Sequence, residues 1–186
     1  MRAENQVQLE VLQDLVIDRE AGVYVFARAG RRVRYPSVTA ALAVASGEIW
    51  ATEEDLIRGR LIHRACALLD RDDLWWPSVS PWIRGEVEAY SSFLSKTGFR
   101  AAFIERPVAS HKHRYGTTPD AVGAFDPKKI AGPPYAVIER KRGAKLWTHA
   151  LQTSAQRHAL RESGLLWPMR RVAVYLSPEG RYQMEE

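Results

Sequence analysis

Residues 115–125 read YGTTPDAVGAF and residues 135–143 read YAVIERKRG, joined by a connector that carries Pro127, Gly132, Pro133 and Pro134. Each half contains a short apolar run with strand character, opened by Asp120 in the first and closed by Glu139 in the second. Pro119 holds Thr118 extended and keeps the first run out of helix. Residues two apart on a strand project to one face, so Glu139 and Lys141 point together while Arg140 points away. Taken singly, each acid is an ordinary surface residue. Two of them on neighbouring strands would repel unless a cation lay between. A carboxylate pair with one adjacent ammonium suits metal-assisted phosphodiester cleavage. The acids hold a hard divalent cation and the lysine manages charge and protons around an attacking water.

Working outward, strand signals cover residues 102–109, 120–125 and 135–140. Thr148 then caps a helix through Arg161, closed by Gly164, before a last strand over 171–176 and an extended tail. Three short strands in succession favour antiparallel pairing, and the helical crossover favours a parallel return. The expected fold class is therefore mixed α/β, a central mixed β-sheet flanked by helices. Upstream, residues 15–18 and 22–27 read as a β-hairpin. Ser37 or Thr39, after Pro36, starts a short helix through Ala45. Thr52 with Glu53, Glu54 and Asp55 caps a longer helix, carried by Ile57, Leu61, Ala65 and Leu68 to about Asp70. A Trp- and Pro-rich connector, 74–82, leads to another helix over about 83–96, ended by Gly98.

The totals bound the answer. A chain of 186 residues, 46% hydrophobic and 26% charged, is expected to form one globular domain over 1–186. An N-terminal hairpin and helices fill about 1–98, and the core bearing the acids fills about 99–186. No apolar run approaches the roughly 18 residues of a membrane span, and the N-terminus lacks a signal-peptide layout. The single cysteine, Cys66, excludes an intramolecular disulfide, a zinc ribbon and a four-cysteine cluster. A cytoplasmic location with no membrane partner is expected. The net charge of +5, mostly from arginine, favours an anionic partner.

GTTPDAVGAF followed by AVIERKRG resembles the PD-(D/E)XK nuclease superfamily, and the surroundings resemble its RecB-like and phage exonuclease branch. RGRLIH places His63 four residues after Gly59, as on that branch's histidine helix. IERPVAS supplies Glu105 on the strand before the PD motif. LQTSAQ stands for the Q-x-x-x-Y motif, with Gln156 where the tyrosine would be. PSVT at 36–39 matches a segment of the phage-type members. The pieces keep the family's order over about residues 35–160.

The resemblance implies a restriction-endonuclease-like αβββαβ core with the N-terminal hairpin and helices as additions. It implies that Asp120, Glu139 and the Arg140 carbonyl hold Mg²⁺ or Mn²⁺, with His63 as a further ligand that leans the site toward Mn²⁺. Lys141 would orient the attacking water and aid its deprotonation, or offset transition-state charge. Glu105 would hold a second metal or orient a ligand water. Gln152 and Gln156, on one helix face, would meet nucleic acid, although stacking by the missing tyrosine is lost. Ser37 and Thr39 either cap their helix or meet a phosphate at its N-terminus. The implied activity is a stand-alone, metal-dependent DNA exonuclease leaving 5′-phosphates, acting on double-stranded ends or single strands. Processivity in such enzymes often needs a ring or tunnel, so a homo-oligomer is one expectation. A structure-selective or nicking endonuclease on the same fold, and a non-cleaving nucleic-acid-binding protein, remain as alternatives.

Other conspicuous residues read more plainly. His111 and His113, in SHKHRYG, lie near a turn and are expected at the surface or facing phosphate. Arg28, Arg31, Arg32 and Arg34 form a solvated face that could track a nucleic-acid backbone. Trp75 and Trp76 are the tryptophans placed to stack on unpaired bases.

Overall fold

A computed structural model describes residues 16–18, 22–28, 31–46 and 52–186. Leu15, at the start of the expected hairpin, lies outside them. That hairpin gains a third strand: β1 (Val16–Asp18), β2 (Val23–Arg28) and β3 (Arg31–Pro36) form an antiparallel sheet in that order. The basic run 31–36 pairs because it alternates. Val33 and Tyr35 turn inward while Arg32 and Arg34 stay exposed, the two-residue period of a half-buried strand. Ser37 Oγ accepts a hydrogen bond from the Ala40 N–H at 2.9 Å and so caps α1 (Val38–Ser46).

Helix α2 (Glu53–Asp70) starts with the expected capping box, in which Thr52 and Asp55 exchange side-chain and backbone hydrogen bonds. The guanidinium of Arg142 beside it, together with Thr52, brings the Asp55 carboxyl down to about 2. After a 3₁₀ turn over Trp76–Ser78, α3 (Arg84–Thr97) ends at Gly98, whose φ of 62° is the left-handed cap that glycine favours.

The strand expected over 102–109 is two. β4 (Arg100–Ile104) stops where Glu105 adopts φ 48°, and Pro107 has no N–H to continue a ladder. β5 (Val108–Ser110) then pairs with β6 (Tyr115–Thr117), a strand the sequence pattern did not signal, in a separate two-stranded sheet. β7 (Ala121–Ala124) and β8 (Tyr135–Arg142) follow. Helix α4 (Trp147–Glu162) begins one residue before Thr148, with Leu146 as its cap residue. β9 (Arg170–Leu176) and β10 (Tyr182–Glu185) complete the chain, the latter where only an extended tail was expected.

The central sheet has the order β10-β9-β8-β7-β4. β8 and β9, joined through α4, are parallel, and the other neighbours are antiparallel. The expected mixed α/β class is what the chain adopts. β8 is covered on both faces. Ala136 and Ile138 pack with Cys66, Val87, Tyr90 and Phe93 of α2 and α3, whereas Val137 packs with Ala159 and Leu160 of α4. That alternation decides which side each residue of the ERK triplet serves.

Gly123 is required by close approach. A Cβ on Gly123 would overlap the Arg100 carbonyl oxygen across the β4–β7 pair. Gly123→Ala must push β4 away, and a loss of about 1–3 kcal/mol in unfolding free energy is expected. Urea titration checks it, as a lower midpoint at an unchanged m-value. Among the described residues, no helix is long and apolar enough to cross a membrane.

Candidate functional site

The β7–β8 register pairs Ala121 with Ile138, and one further step sets Asp120 opposite Glu139. Glu139 turns toward the α4 side, whereas the Asp120 carboxylate, just before the start of β7, meets His63 of α2. Both are buried, Asp120 at 7% exposure and Glu139 at 4%. Asp120 Oδ1 lies 2.9 Å from Nδ1 of His63, which the middle of α2 delivers. Its Oδ2 accepts the Arg140 backbone N–H at 2.6 Å. Glu139 Oε1 accepts from Lys141 Nζ at 2.9 Å and from Gln152 Nε2 at 2.6 Å. Glu139 Oε2 accepts from Gln156 Nε2 at 2.6 Å. Lys141 Nζ also donates to Gln152 Oε1 at 2.8 Å. The site residues thus stand as two bonded sets on adjoining strand positions, Asp120 with His63 and Glu139 with Lys141.

Electrostatics fix the charge states. The Asp120 carboxylate raises the His63 pKa against the opposing effect of burial. Burial would raise the Asp120 pKa, yet the charges of His63 and Arg140 outweigh it and hold this carboxyl well below its usual range. Burial alone would depress Lys141, but Glu139 overrides it and the amine is held as an ammonium. Lys141 is therefore a charged donor rather than a neutral base.

A pH dependence follows from linkage. His63, raised in the fold, stabilises fully below its ordinary value of 6.5, and that contribution is lost as pH climbs through the folded value. Asp120, lowered in the fold, stabilises above its ordinary 3.8, and loses that contribution only as pH falls toward the folded value. The pair contributes most between those two ordinary values. The urea midpoint of the parent protein should fall as pH rises above that window, and His63→Gln should flatten this descent. An equal slope in both proteins would exclude the pair as its cause.

Arg140 is the residue that sequence reasoning missed. It was expected to point away from the acids, and it does leave on the α2/α3 side, where its side chain is 0% exposed. There it reaches Asp70 Oδ2 at 3.1 Å and donates to the Asp120 carbonyl oxygen at 3.2 Å. Its guanidinium lies 5.1 Å from the Tyr90 ring centre, and the Tyr90 hydroxyl donates to Asp70 Oδ1 at 2.8 Å. One arginine thus ties the strand end bearing Asp120 to α2 and α3. A charged residue in the middle of an otherwise apolar strand pattern was the available signal. Cys66 sits beside this network, and burial pushes its thiol up to about 12, which leaves it unreactive.

The remaining expected residues divide. Gln152 and Gln156 do not face outward. Gln156 is 0% exposed, and both amides turn inward to Glu139 because their helix face packs on β8. Their reading as nucleic-acid contacts is corrected to that of holding Glu139 in place. Glu105 stands beside Asp120 across the strands, its N–H donating to the Asp120 carbonyl oxygen at 3.1 Å, while its side chain is exposed. Ser37 takes the capping role, and Thr39 is exposed. His111 packs edge-on against Phe26 and Tyr35. Arg31, Arg32 and Arg34 line exposed positions of β3. Trp75 is 69% exposed, whereas Trp76 packs against the core.

The donor chemistry suits a hard divalent cation. Asp120 and Glu139 supply carboxylate oxygens. The Arg140 N–H points at Asp120, and in an extended strand the carbonyl of that residue leaves on the same side. His63, Asp120 and Glu139 do not form a trio of ligand atoms within 4.8 Å; among the described residues that spacing is met only by His113, His158 and Glu162. No family model and no curated protein matches this chain.

Proposed function

We propose that this chain is a divalent-metal-dependent deoxyribonuclease of the PD-(D/E)XK kind, acting as an exonuclease on DNA ends or on recombination and replication intermediates. The observation that carries the reading is the placing of two bonded pairs, Asp120 with His63 and Glu139 with Lys141, at opposed positions of the β7–β8 register. The succession α3, β4, β7, β8, α4 and β9 around one mixed sheet supports the αβββαβ core on which such sites are built.

Asp120, Glu139 and the Arg140 carbonyl would hold Mg²⁺ or Mn²⁺, with His63 as a nitrogen ligand. When bound, the ion supplies Lewis acidity at a phosphate oxygen and a water of lowered pKa. Lys141, an ammonium fixed by Glu139 and Gln152, orients the attacking water and offsets charge developing on the phosphate. Gln152 and Gln156 hold the Glu139 carboxylate in one orientation, a task that commonly matters tenfold to a hundredfold at metal sites. Exposed arginines of β3 offer phosphate contacts along a backbone.

The test is incubation of supercoiled plasmid and end-labelled linear DNA with Mg²⁺, with Mn²⁺ or with EDTA. Metal-dependent loss of linear DNA with circles spared is the expected result. Nicked circles would place the activity with endonucleases, and binding without cleavage in either metal would overturn the proposal.

A further inference from the structure

The trio within 4.8 Å lies away from Asp120, where the β5–β6 turn meets the end of α4. His158 and Glu162 are four residues apart and so stack on one helix face, with His158 Nε2 2.9 Å from Glu162 Oε1. His113 arrives from the turn, its ring centre 4.9 Å from that of His158. The carboxylate is already oriented from outside the trio. Ser110 Oγ donates to Glu162 Oε1 at 2.8 Å, and the Lys112 N–H reaches Oε2 at 3.4 Å. The same Ser110 Oγ accepts the His113 N–H at 3.1 Å, which fixes the turn relative to the acid. Such outer partners are what a metal ligand needs to hold its direction.

We propose that His113, His158 and Glu162 form a second metal site, which takes Zn²⁺ or a similar first-row transition ion. Two imidazoles and one carboxylate are a donor set for zinc rather than magnesium. Ligand bonds near 2.0–2.2 Å imply ligand–ligand separations of roughly 3.2–3.6 Å in a tetrahedron, so forming the site takes side-chain shifts of up to about 1.6 Å at the surface, closing the wider pairs and opening His158 from Glu162 slightly. His158 keeps 46% of its side chain exposed and Glu162 23%, which leaves a solvent-facing fourth position for water. The ion would clamp the β5–β6 sheet to α4, the helix that holds Glu139 through Gln152 and Gln156. The proposal stands apart from the reading of the Asp120 site and does not need DNA cleavage.

The experiment is equilibrium dialysis of the full chain against Zn²⁺, with thermal melts in parallel. The double variant His113→Ala/His158→Ala is expected to bind one ion fewer per chain than the parent, and Asp120→Asn to retain that ion. At Zn²⁺ a hundred times its Kd, the parent melting temperature should rise by about 5–10 °C, and the double variant should lose this rise. Glu162→Gln, which keeps the shape of the side chain, gives the same loss if the double variant does not fold. Equal stoichiometry and affinity in the parent and these variants overturns the site, as does failure of the double variant to lose an ion when it is made in the Asp120→Asn background.

Discussion

Lys141→Ala is expected to lower metal-dependent DNA hydrolysis by at least about a hundredfold, the usual scale for a group placed at developing charge. DNA binding should stay close to that of the parent. The ammonium is pinned from two directions, by Glu139 at 2.9 Å and by Gln152 at 2.8 Å, and it remains charged because Glu139 outweighs its burial. Under the proposed function, alanine would remove a fixed positive charge from beside the phosphate while leaving the Asp120 and Glu139 carboxylates in place. Lys141→Arg should not restore the rate, since a planar fork cannot occupy the place of a compact ammonium. Single-turnover cleavage with a parallel anisotropy titration separates the two effects. A rate within severalfold of the parent would remove the lysine from the mechanism, and a matching loss of binding would make it a phosphate anchor instead.

Arg140→Ala is expected to cost about 3–5 kcal/mol of stability, the penalty of removing one partner from a buried ion pair. Asp70 and Arg140 are both 0% exposed in their side chains, and Asp120 leans on the same guanidinium. Without it, two carboxylates and the Tyr90 hydroxyl remain in an apolar pocket. The network is already incomplete, because Arg140 Nε, 3.6 Å from Asp120 Oδ2, has no hydrogen-bond partner of its own. For that reason Arg140→Met combined with Asp70→Asn should recover part of the loss, as replacing both halves of a buried pair often does. Urea unfolding of the single and paired variants forms the cycle. A single-variant cost below about 1 kcal/mol would show that packing rather than charge supports this strand end.

The elements legible in the sequence were those with local chemistry. The Thr52–Asp55 capping box and the Gly98 stop bounded α2 and α3 to within a residue or two, because caps are satisfied by near neighbours. The resemblance singled out Asp120, Glu139 and His63, of which Asp120 and His63 are in contact, and the alternation along β8 told which side Glu139 and Lys141 would take. What stayed hidden depends on distant partners. β6 is three residues long and exists by pairing with β5, and β3 exists by pairing with β2 beneath a basic composition that reads only as a solvated face. The glutamines lie inward, although polarity suggests solvent, because a helix face packed over the buried Glu139 carboxyl offers their amides a partner there. Strand parity places the Arg140 side chain away from Glu139, and parity does not say which distant partners a long side chain reaches.

β8 is the middle strand of five, flanked by β7 and β9 and roofed on both faces. Its amides can meet solvent deuterons only when the whole domain opens, while those of the rim strand β10 escape by fraying. The Glu-Arg-Lys end thereby shares the lifetime of the fold itself: a heated sample should keep its reactive geometry up to the cooperative melt and then surrender it all at once.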